Sequence, residues 1–62
     1  MKNYKLVEAR EKNGYSQDRF SKELGIALTS YNLKETGRRP FKVEEANKIC
    51  SILNKPYDEL FK

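Results

Sequence analysis

Four basic side chains stand close together in the sequence, at Lys34, Arg38, Arg39 and Lys42. Ammonium and guanidinium groups bind phosphate through charge-assisted hydrogen bonds, so this cluster could neutralise part of a nucleic-acid backbone. The whole chain has the same bias, with 13 Lys plus Arg against 9 Asp plus Glu and a formal net charge of +4. Because such an excess is also common on solvated surfaces, the position of the cluster in the fold has to decide between the two interpretations.

The side chains that enzymes and metal sites need are largely missing. The chain has no histidine and a single cysteine, Cys50, so neither a zinc cluster of His and Cys nor an internal disulfide can form. Cys50 falls on an apolar stripe, where a small buried residue is a better interpretation than a nucleophile. No glycine-rich loop is present to hold a phosphate group. We therefore expect no enzymatic activity, no cofactor, no metal ion and no small-molecule ligand.

Length and composition indicate one small soluble domain over residues 1–62. The 37% of hydrophobic residues can form a core, and the 35% of charged residues require a well-solvated exterior. A domain of this size buries only about 60% of the surface of its unfolded chain, so its stability should be modest. Residues 1–10 carry scattered charges, unlike a signal peptide, and no apolar run approaches the ~20 residues of a membrane span. We expect a cytoplasmic protein without membrane contacts.

The elements that position these side chains are predicted to be helices. Apolar residues recur at helical spacing in five segments, at 3–13, 16–24, 27–36, 42–53 and 56–61. Gly14 and Gly25 end the first two helices, and Ser16 is the expected N-cap of the second. Residues 36–40 contain turn formers and should be a loop that presents Arg38 and Arg39. The fold class is therefore all-α, a compact bundle of about five short helices.

The same periodicity predicts which residues face the core. The inward residues should be Leu6, Ala9 and Arg10 on the first helix, Phe20, Ser21 and Leu24 on the second, Tyr31 on the third, Val43, Ala46, Ile49, Cys50 and Leu53 on the fourth, and Tyr57, Leu60 and Phe61 on the last.

Residues 17–36, QDRFSKELGIALTSYNLKET, have the spacing of a helix-turn-helix, with Gly25 allowing the tight turn. The sequence resembles the phage repressor and Cro family of helix-turn-helix proteins, the lambda repressor-like or XRE type. Residues 6–26, 31–39 and 41–61 carry the resemblance. It implies sequence-specific binding to a double-stranded DNA operator, with a short reading helix around 28–34 in the major groove.

The resemblance also implies roles for individual residues. Base contacts are expected from Leu28, Thr29, Ser30 and Asn32, phosphate contacts from Gln17, and a structural pair from Arg10 and Glu35. Asparagine can bond adenine bidentately, and Leu28 can contact a thymine methyl group. The cluster of Lys34, Arg38, Arg39 and Lys42 lies at and just after the end of the reading helix, which favours phosphate contacts over a merely solvated surface.

Three positions depart from the family pattern. Ser21 stands where alanine is common, Ala27 where a capping serine is frequent, and Lys34 where a buried apolar residue is usual. Lys34 fits such a position if its aliphatic stem packs and its ammonium group reaches solvent or phosphate, with Leu33 turned partly inward.

Several alternatives stay open at this point. The scaffold could serve as a protein-interaction module, such as an antitoxin or adaptor, because a fold does not fix a function. If DNA is the target, a homodimer on a palindromic operator is expected, since one domain reads few base pairs. Tyr57, Leu60 and Phe61 could form the dimer surface or simply close the core. The chain could be a complete Cro-like regulator or part of a longer repressor.

Overall fold

The computed structural model describes residues 2–62, and this part of the chain forms five α-helices and no strand. The helices are α1 (Tyr4–Lys12), α2 (Gln17–Leu24), α3 (Leu28–Glu35), α4 (Val43–Leu53) and α5 (Tyr57–Phe61). The predicted all-α fold class is confirmed, and each helix lies within two residues of its expected limits. No helix among residues 2–62 is long and apolar enough to span a bilayer.

Local signals set most of the helix limits. The Ser16 hydroxyl accepts a hydrogen bond from the Arg19 backbone N–H at 3.1 Å, as expected of an N-cap. Gly25 ends α2 in the left-handed conformation, with φ 74°. Asn54 ends α4 in the same conformation, with φ 53°. The Ser16 cap and the Gly25 end depend on backbone groups only a few residues away, which is why the sequence predicts both.

The core lies between the five helices, each of which contributes at least one buried apolar side chain. Its buried apolar members are Leu6, Ala9, Phe20, Leu24, Tyr31, Ala46, Ile49, Leu53 and Leu60. An aromatic series runs through it from α2 to α5, in which Phe20 meets Tyr31 edge-on with ring centroids 5.6 Å apart. Tyr31 continues to Phe41 at 6.0 Å, and Phe41 to Phe61 at 5.5 Å. Such pairs add stability beyond simple area burial.

The ends of the described chain are held against the body of the domain. The Asn3 side chain donates to the Leu60 carbonyl at 2.7 Å, and the Asn3 backbone N–H donates to the Glu35 carbonyl at 2.9 Å. Asn3 also caps α1 by accepting from the Leu6 N–H at 3.0 Å. One residue thus connects α1, α3 and α5.

Two residues predicted to face inward do not. Val43 is 77% exposed and Tyr57 is 49% exposed. Each is the first residue of its helix, at an end that extends past the core, so helical spacing alone misjudged them. They line an open groove with Pro40, Phe41 and Phe61. Cys50 is half-buried against the core, consistent with a packing role.

Candidate nucleic-acid interface

The turn between α2 and α3 holds the two helices at a fixed angle. The Gly25 N–H donates to the Lys22 carbonyl at 3.1 Å, and the Ile26 N–H donates to the Ser21 carbonyl at 3.0 Å. Ile26 packs against the core cluster, and Ser21 is 1% exposed. The Ser21 hydroxyl donates to the Asp18 carbonyl at 2.7 Å, so this buried polar group is satisfied within α2. The turn therefore presents one face of α3 outward with little freedom.

The outward face of α3 contains the residues that are predicted from the sequence to contact bases. Leu28 is 43% exposed, Thr29 and Asn32 are exposed, and Ser30 is half-buried. Tyr31, between them in sequence, is fully buried. Leu33 is half-buried, as the sequence analysis allowed. The result is a short, mostly polar surface one helix wide, the size that a major groove admits.

Behind this face, the structure brings Arg10 and Glu35 together. Arg10 Nε donates to Glu35 Oε2 at 2.9 Å, and Arg10 Nη2 donates to Glu35 Oε1 at 3.2 Å. The two side chains are 6% and 1% exposed. Arg10 Nη1 also donates to the Tyr15 carbonyl at 2.7 Å, which ties the α1–α2 connection to the same group. The pair joins α1 to the C-terminal end of α3.

Two further donors complete the environment of the Glu35 carboxylate. The Tyr31 hydroxyl donates to Oε2, and Gln17 Nε2 donates to Oε1 at 2.8 Å. Burial alone would raise the pKa of Glu35, but hydrogen bonds from Arg10, Tyr31 and Gln17 outweigh it, so this pKa lies below its ordinary value. Burial and the bond to Glu35 raise the pKa of Tyr31 above its ordinary 10.0. Glu35 is therefore held as an anion and Tyr31 as a neutral phenol.

Gln17 connects this buried group to the reading face. Its Oε1 accepts a hydrogen bond from Asn32 Nδ2 at 3.2 Å, on the exposed side of the α2–α3 junction. Gln17 itself is half-buried. Two residues that the sequence analysis considered separately, one for phosphate and one for bases, are thus in contact. The sequence contained no local signal for this contact, because the two residues belong to different helices.

The basic cluster divides into two parts. Arg38, Arg39 and Lys42 are exposed, and none of them has an ion pair within residues 2–62. The loop positions the arginines through its backbone, since the Arg38 and Arg39 N–H groups donate to the Leu33 carbonyl at 2.9 and 3.2 Å. They therefore stand directly beyond the C-terminal end of α3.

Lys34 does not share this arrangement. Its ammonium group contacts both carboxylate oxygens of Glu45 at 2.6 Å, and the side chains of Lys34 and Glu45 are only 10% and 12% exposed. The expectation that the ammonium reaches solvent or phosphate needs correction, because its charge is neutralised within the protein. Lys34 can occupy a position usual for an apolar residue because its charge is paired with the Glu45 carboxylate of α4.

Glu45 is a residue whose part the sequence analysis missed. It also accepts a hydrogen bond from the Lys42 backbone N–H at 2.9 Å at the start of α4. Burial tends to raise the pKa of Glu45, but the bonds from Lys34 and Lys42 lower it below the ordinary value. The only local signal was an acidic residue in the first turn of a helix, which is common and does not indicate a partner.

Side chains suited to other chemistry are not grouped together. Among residues 2–62 no set of three or more His, Cys, Asp or Glu residues could hold a metal ion. Burial raises the pKa of the Cys50 thiol, so the reactive thiolate is disfavoured.

A family model described as helix-turn-helix matches residues 6–60. No curated protein and no solved structure matches the chain.

Proposed function

The chain belongs to the Cro/repressor type of the helix-turn-helix family, and from this membership we propose that it is a transcriptional regulator that recognises a specific DNA sequence. The proposal adds to the DNA-binding character of the family a reading surface, a set of phosphate contacts and a two-fold arrangement on the operator.

One observation carries the proposal. The exposed polar face of α3 lies immediately before two exposed arginines without ion pairs in the described chain, Arg38 and Arg39. Groove reading needs a helix face that can reach base edges, and affinity needs cations that can meet the flanking phosphates. A protein-binding face would be expected to offer large apolar or aromatic anchors instead.

We assign base reading to Leu28, Thr29, Ser30 and Asn32. The short side chains of Thr29 and Ser30 allow the helix backbone to approach the floor of the groove, and their hydroxyls can donate or accept hydrogen bonds. Leu28 offers an apolar contact for a thymine methyl group, and Asn32 offers a carboxamide for adenine.

We assign phosphate contacts to Gln17, Arg38, Arg39 and Lys42. Gln17 Nε2 donates one N–H to Glu35. Its second N–H has no partner within residues 2–62 and can donate to a phosphate oxygen. The three cations contribute binding that is independent of sequence and sensitive to salt. Lys34 is omitted from this set, because Glu45 already neutralises it.

We further propose that two copies bind a palindromic operator. The apolar groove around Val43, Tyr57 and Phe61 is the proposed contact, because it contains two of the most exposed large apolar side chains. It adjoins the loop that carries Arg38 and Arg39, because Pro40 of that loop is part of its lining. The half-sites are then about one helical turn apart.

The experiment that tests this function is selection of binding sites from random duplex DNA at about physiological salt. We expect a short inverted repeat to be enriched. Enrichment of a single half-site would support base reading and contradict the dimer. If no sequence is enriched, specific DNA recognition by this chain is wrong, and a protein-interaction role becomes the better hypothesis.

Variants of the proposed contacts separate base reading from phosphate binding. Thr29→Ala should weaken binding to the selected site by about tenfold with an unchanged melting temperature. Arg38→Ala/Arg39→Ala should reduce the slope of log affinity against log salt by about two units. The matched control is Lys12→Ala/Lys55→Ala, which removes the same charge from a groove that contains no residue of α2 or α3. Equal slopes in both double variants would contradict the phosphate assignment.

A further inference from the structure

Glu35, Gln17 and Asn32 form a series of hydrogen bonds from the buried centre of the domain to its exposed reading face. Gln17 Nε2 donates to Glu35 Oε1 at 2.8 Å, and Asn32 Nδ2 donates to Gln17 Oε1 at 3.2 Å. We call this series the amide relay. Glu35 is 0% exposed, whereas Asn32 is exposed, so the relay crosses the full depth from core to surface.

The chemistry of Glu35 sets the direction of every bond in the relay. An ionised carboxylate can only accept hydrogen bonds. Gln17 must therefore turn its NH₂ group inward, which leaves its carbonyl oxygen facing Asn32. A carbonyl oxygen can only accept, so Asn32 must turn its own NH₂ group toward Gln17. Reversing either carboxamide would place two acceptors against each other.

The charge that starts the relay is secure. Arg10 donates two hydrogen bonds to the Glu35 carboxylate, and the Tyr31 hydroxyl donates a third. These donors come from α1 and α3, and Gln17 supplies the fourth from α2. Since the carboxylate is buried among donors that favour its anionic form, it cannot exchange its accepting role for a donating one.

The outcome at the surface is a carboxamide with a defined orientation. Asn32 donates one N–H to Gln17. Its Oδ1 and its second N–H have no partner within residues 2–62 and remain available to a base. An acceptor beside a donor is the pattern that complements the N6 amino group and N7 of adenine. A freely rotating asparagine could present the reverse order as readily.

We propose that Glu35, acting through Gln17, fixes the orientation of the Asn32 carboxamide and thereby sets the base preference of the reading helix. Gln17 is then a positioning residue for specificity in addition to a phosphate contact. This inference rests on the proposed function, since it requires that α3 reads bases. It adds a role for a buried charge that does not touch DNA.

The test is a double-mutant cycle on the selected operator and its single-base-pair variants. Comparison of the parent protein with Asn32→Ala identifies the base pair that Asn32 reads, where we expect adenine to be preferred by about tenfold. Gln17→Met removes the relay while keeping a side chain of similar length. It should reduce that preference to less than about threefold, and at other positions it should weaken binding evenly.

The Asn32→Ala background separates orientation from phosphate binding. There, Gln17→Met should weaken binding to all base variants equally, because no carboxamide remains to be oriented. Glu23→Met is the matched control, since Glu23 is exposed on the same helix and should leave the base preference unchanged. If Gln17→Met keeps the parent preference for adenine, the relay is wrong and Gln17 only contacts phosphate or braces α3.

A measurement on the free protein makes this failure distinguishable from failure of the proposed function. Gln17 is the single glutamine of the chain, so its side-chain NH₂ signals in an NMR spectrum are assigned directly. Gln17→Met should shift the side-chain NH₂ signals of Asn32 and leave those of Asn47 unchanged. Unshifted Asn32 signals would overturn the relay whatever the DNA result, and shifted signals without any selected sequence would overturn base reading alone.

Discussion

Two ion pairs hold α3 from different sides, and they differ in how each acidic side chain is satisfied. Arg10 and Glu35 join α3 to α1, with side chains 6% and 1% exposed. Lys34 and Glu45 join α3 to α4, with side chains 10% and 12% exposed. Glu35 accepts hydrogen bonds from three side chains, whereas Glu45 accepts from one ammonium group and one backbone N–H.

The difference shows that the number and direction of donors decide what a buried pair contributes. The guanidinium of Arg10 makes two parallel bonds to its carboxylate, a geometry that an ammonium cannot reproduce. Glu45 lies in the first turn of α4, where the helix dipole and the Lys42 N–H stabilise a negative charge without Lys34. Loss of the cation should therefore cost much more at Glu35 than at Glu45.

The largest effect should come from Arg10→Met. It leaves the Glu35 carboxylate buried with half of its hydrogen bonds, which should cost about 3 kcal/mol or more of unfolding free energy. For a domain of this size, the melting temperature should fall by about 12 °C or more. Lys12→Met, an exposed change on the same helix, is the control and should leave the melt nearly unchanged. If Arg10→Met and the control had equal melting temperatures, the Arg10–Glu35 pair would not stabilise the fold as proposed.

The next effect should come from Tyr31→Phe, which removes one donor from Glu35 while keeping the ring. We expect a loss of about 1–2 kcal/mol near neutral pH. Because the folded-state pKa of Tyr31 is raised, its contribution is present below the unfolded value of 10.0 and is lost as the pH rises above it. The free energy of unfolding can be measured with denaturant at about pH 8 and about pH 11. Between these two pH values it should fall more for the parent than for Tyr31→Phe. Equal losses would contradict the buried phenol as the cause.

A smaller effect is expected from Lys34→Met, which replaces the outer cation with an apolar residue of similar length. Since Glu45 keeps a backbone donor, the cost should be about 1 kcal/mol in thermal or denaturant unfolding. The same variant should keep the parent salt slope on DNA, because the ammonium does not reach phosphate. A slope reduced by about one unit, as expected for the loss of one phosphate contact, would show that Lys34 leaves Glu45 to contact DNA.

The smallest effect should come from Glu45→Gln, measured as the acid dependence of stability. The pKa values of Glu35 and Glu45 are both lowered by folding, so their contributions are present above the ordinary value of 4.5 and are lost as the pH falls through the folded values. In Glu45→Gln, the loss of unfolding free energy on acidification should be smaller by a few tenths of a kcal/mol. The loss that remains should be the one due to Glu35. A decline identical to that of the parent would mean that Glu45 is equally stabilised in the unfolded chain.

The sequence by itself determined the helices and their limits. Ser16, Gly25 and Asn54 act on backbone groups within four residues, and the apolar residues of α1 and α2 recur at a spacing that only a helix uses. The buried faces of these two helices, Leu6, Ala9 and Arg10 and then Phe20, Ser21 and Leu24, are those that the spacing predicts. Local physics suffices for such features because cause and effect are close along the chain.

Only the tertiary structure decided which neighbour each polar side chain meets. Lys34 turns to Glu45 rather than to solvent, and Asn32 turns to Gln17, although no pattern near these residues indicates the partner. Val43 follows the same spacing as buried Ala46 yet is exposed, because it stands at a helix end beyond the core. Helical periodicity defines a face, but the packing of separate helices determines what that face contacts and where the core ends.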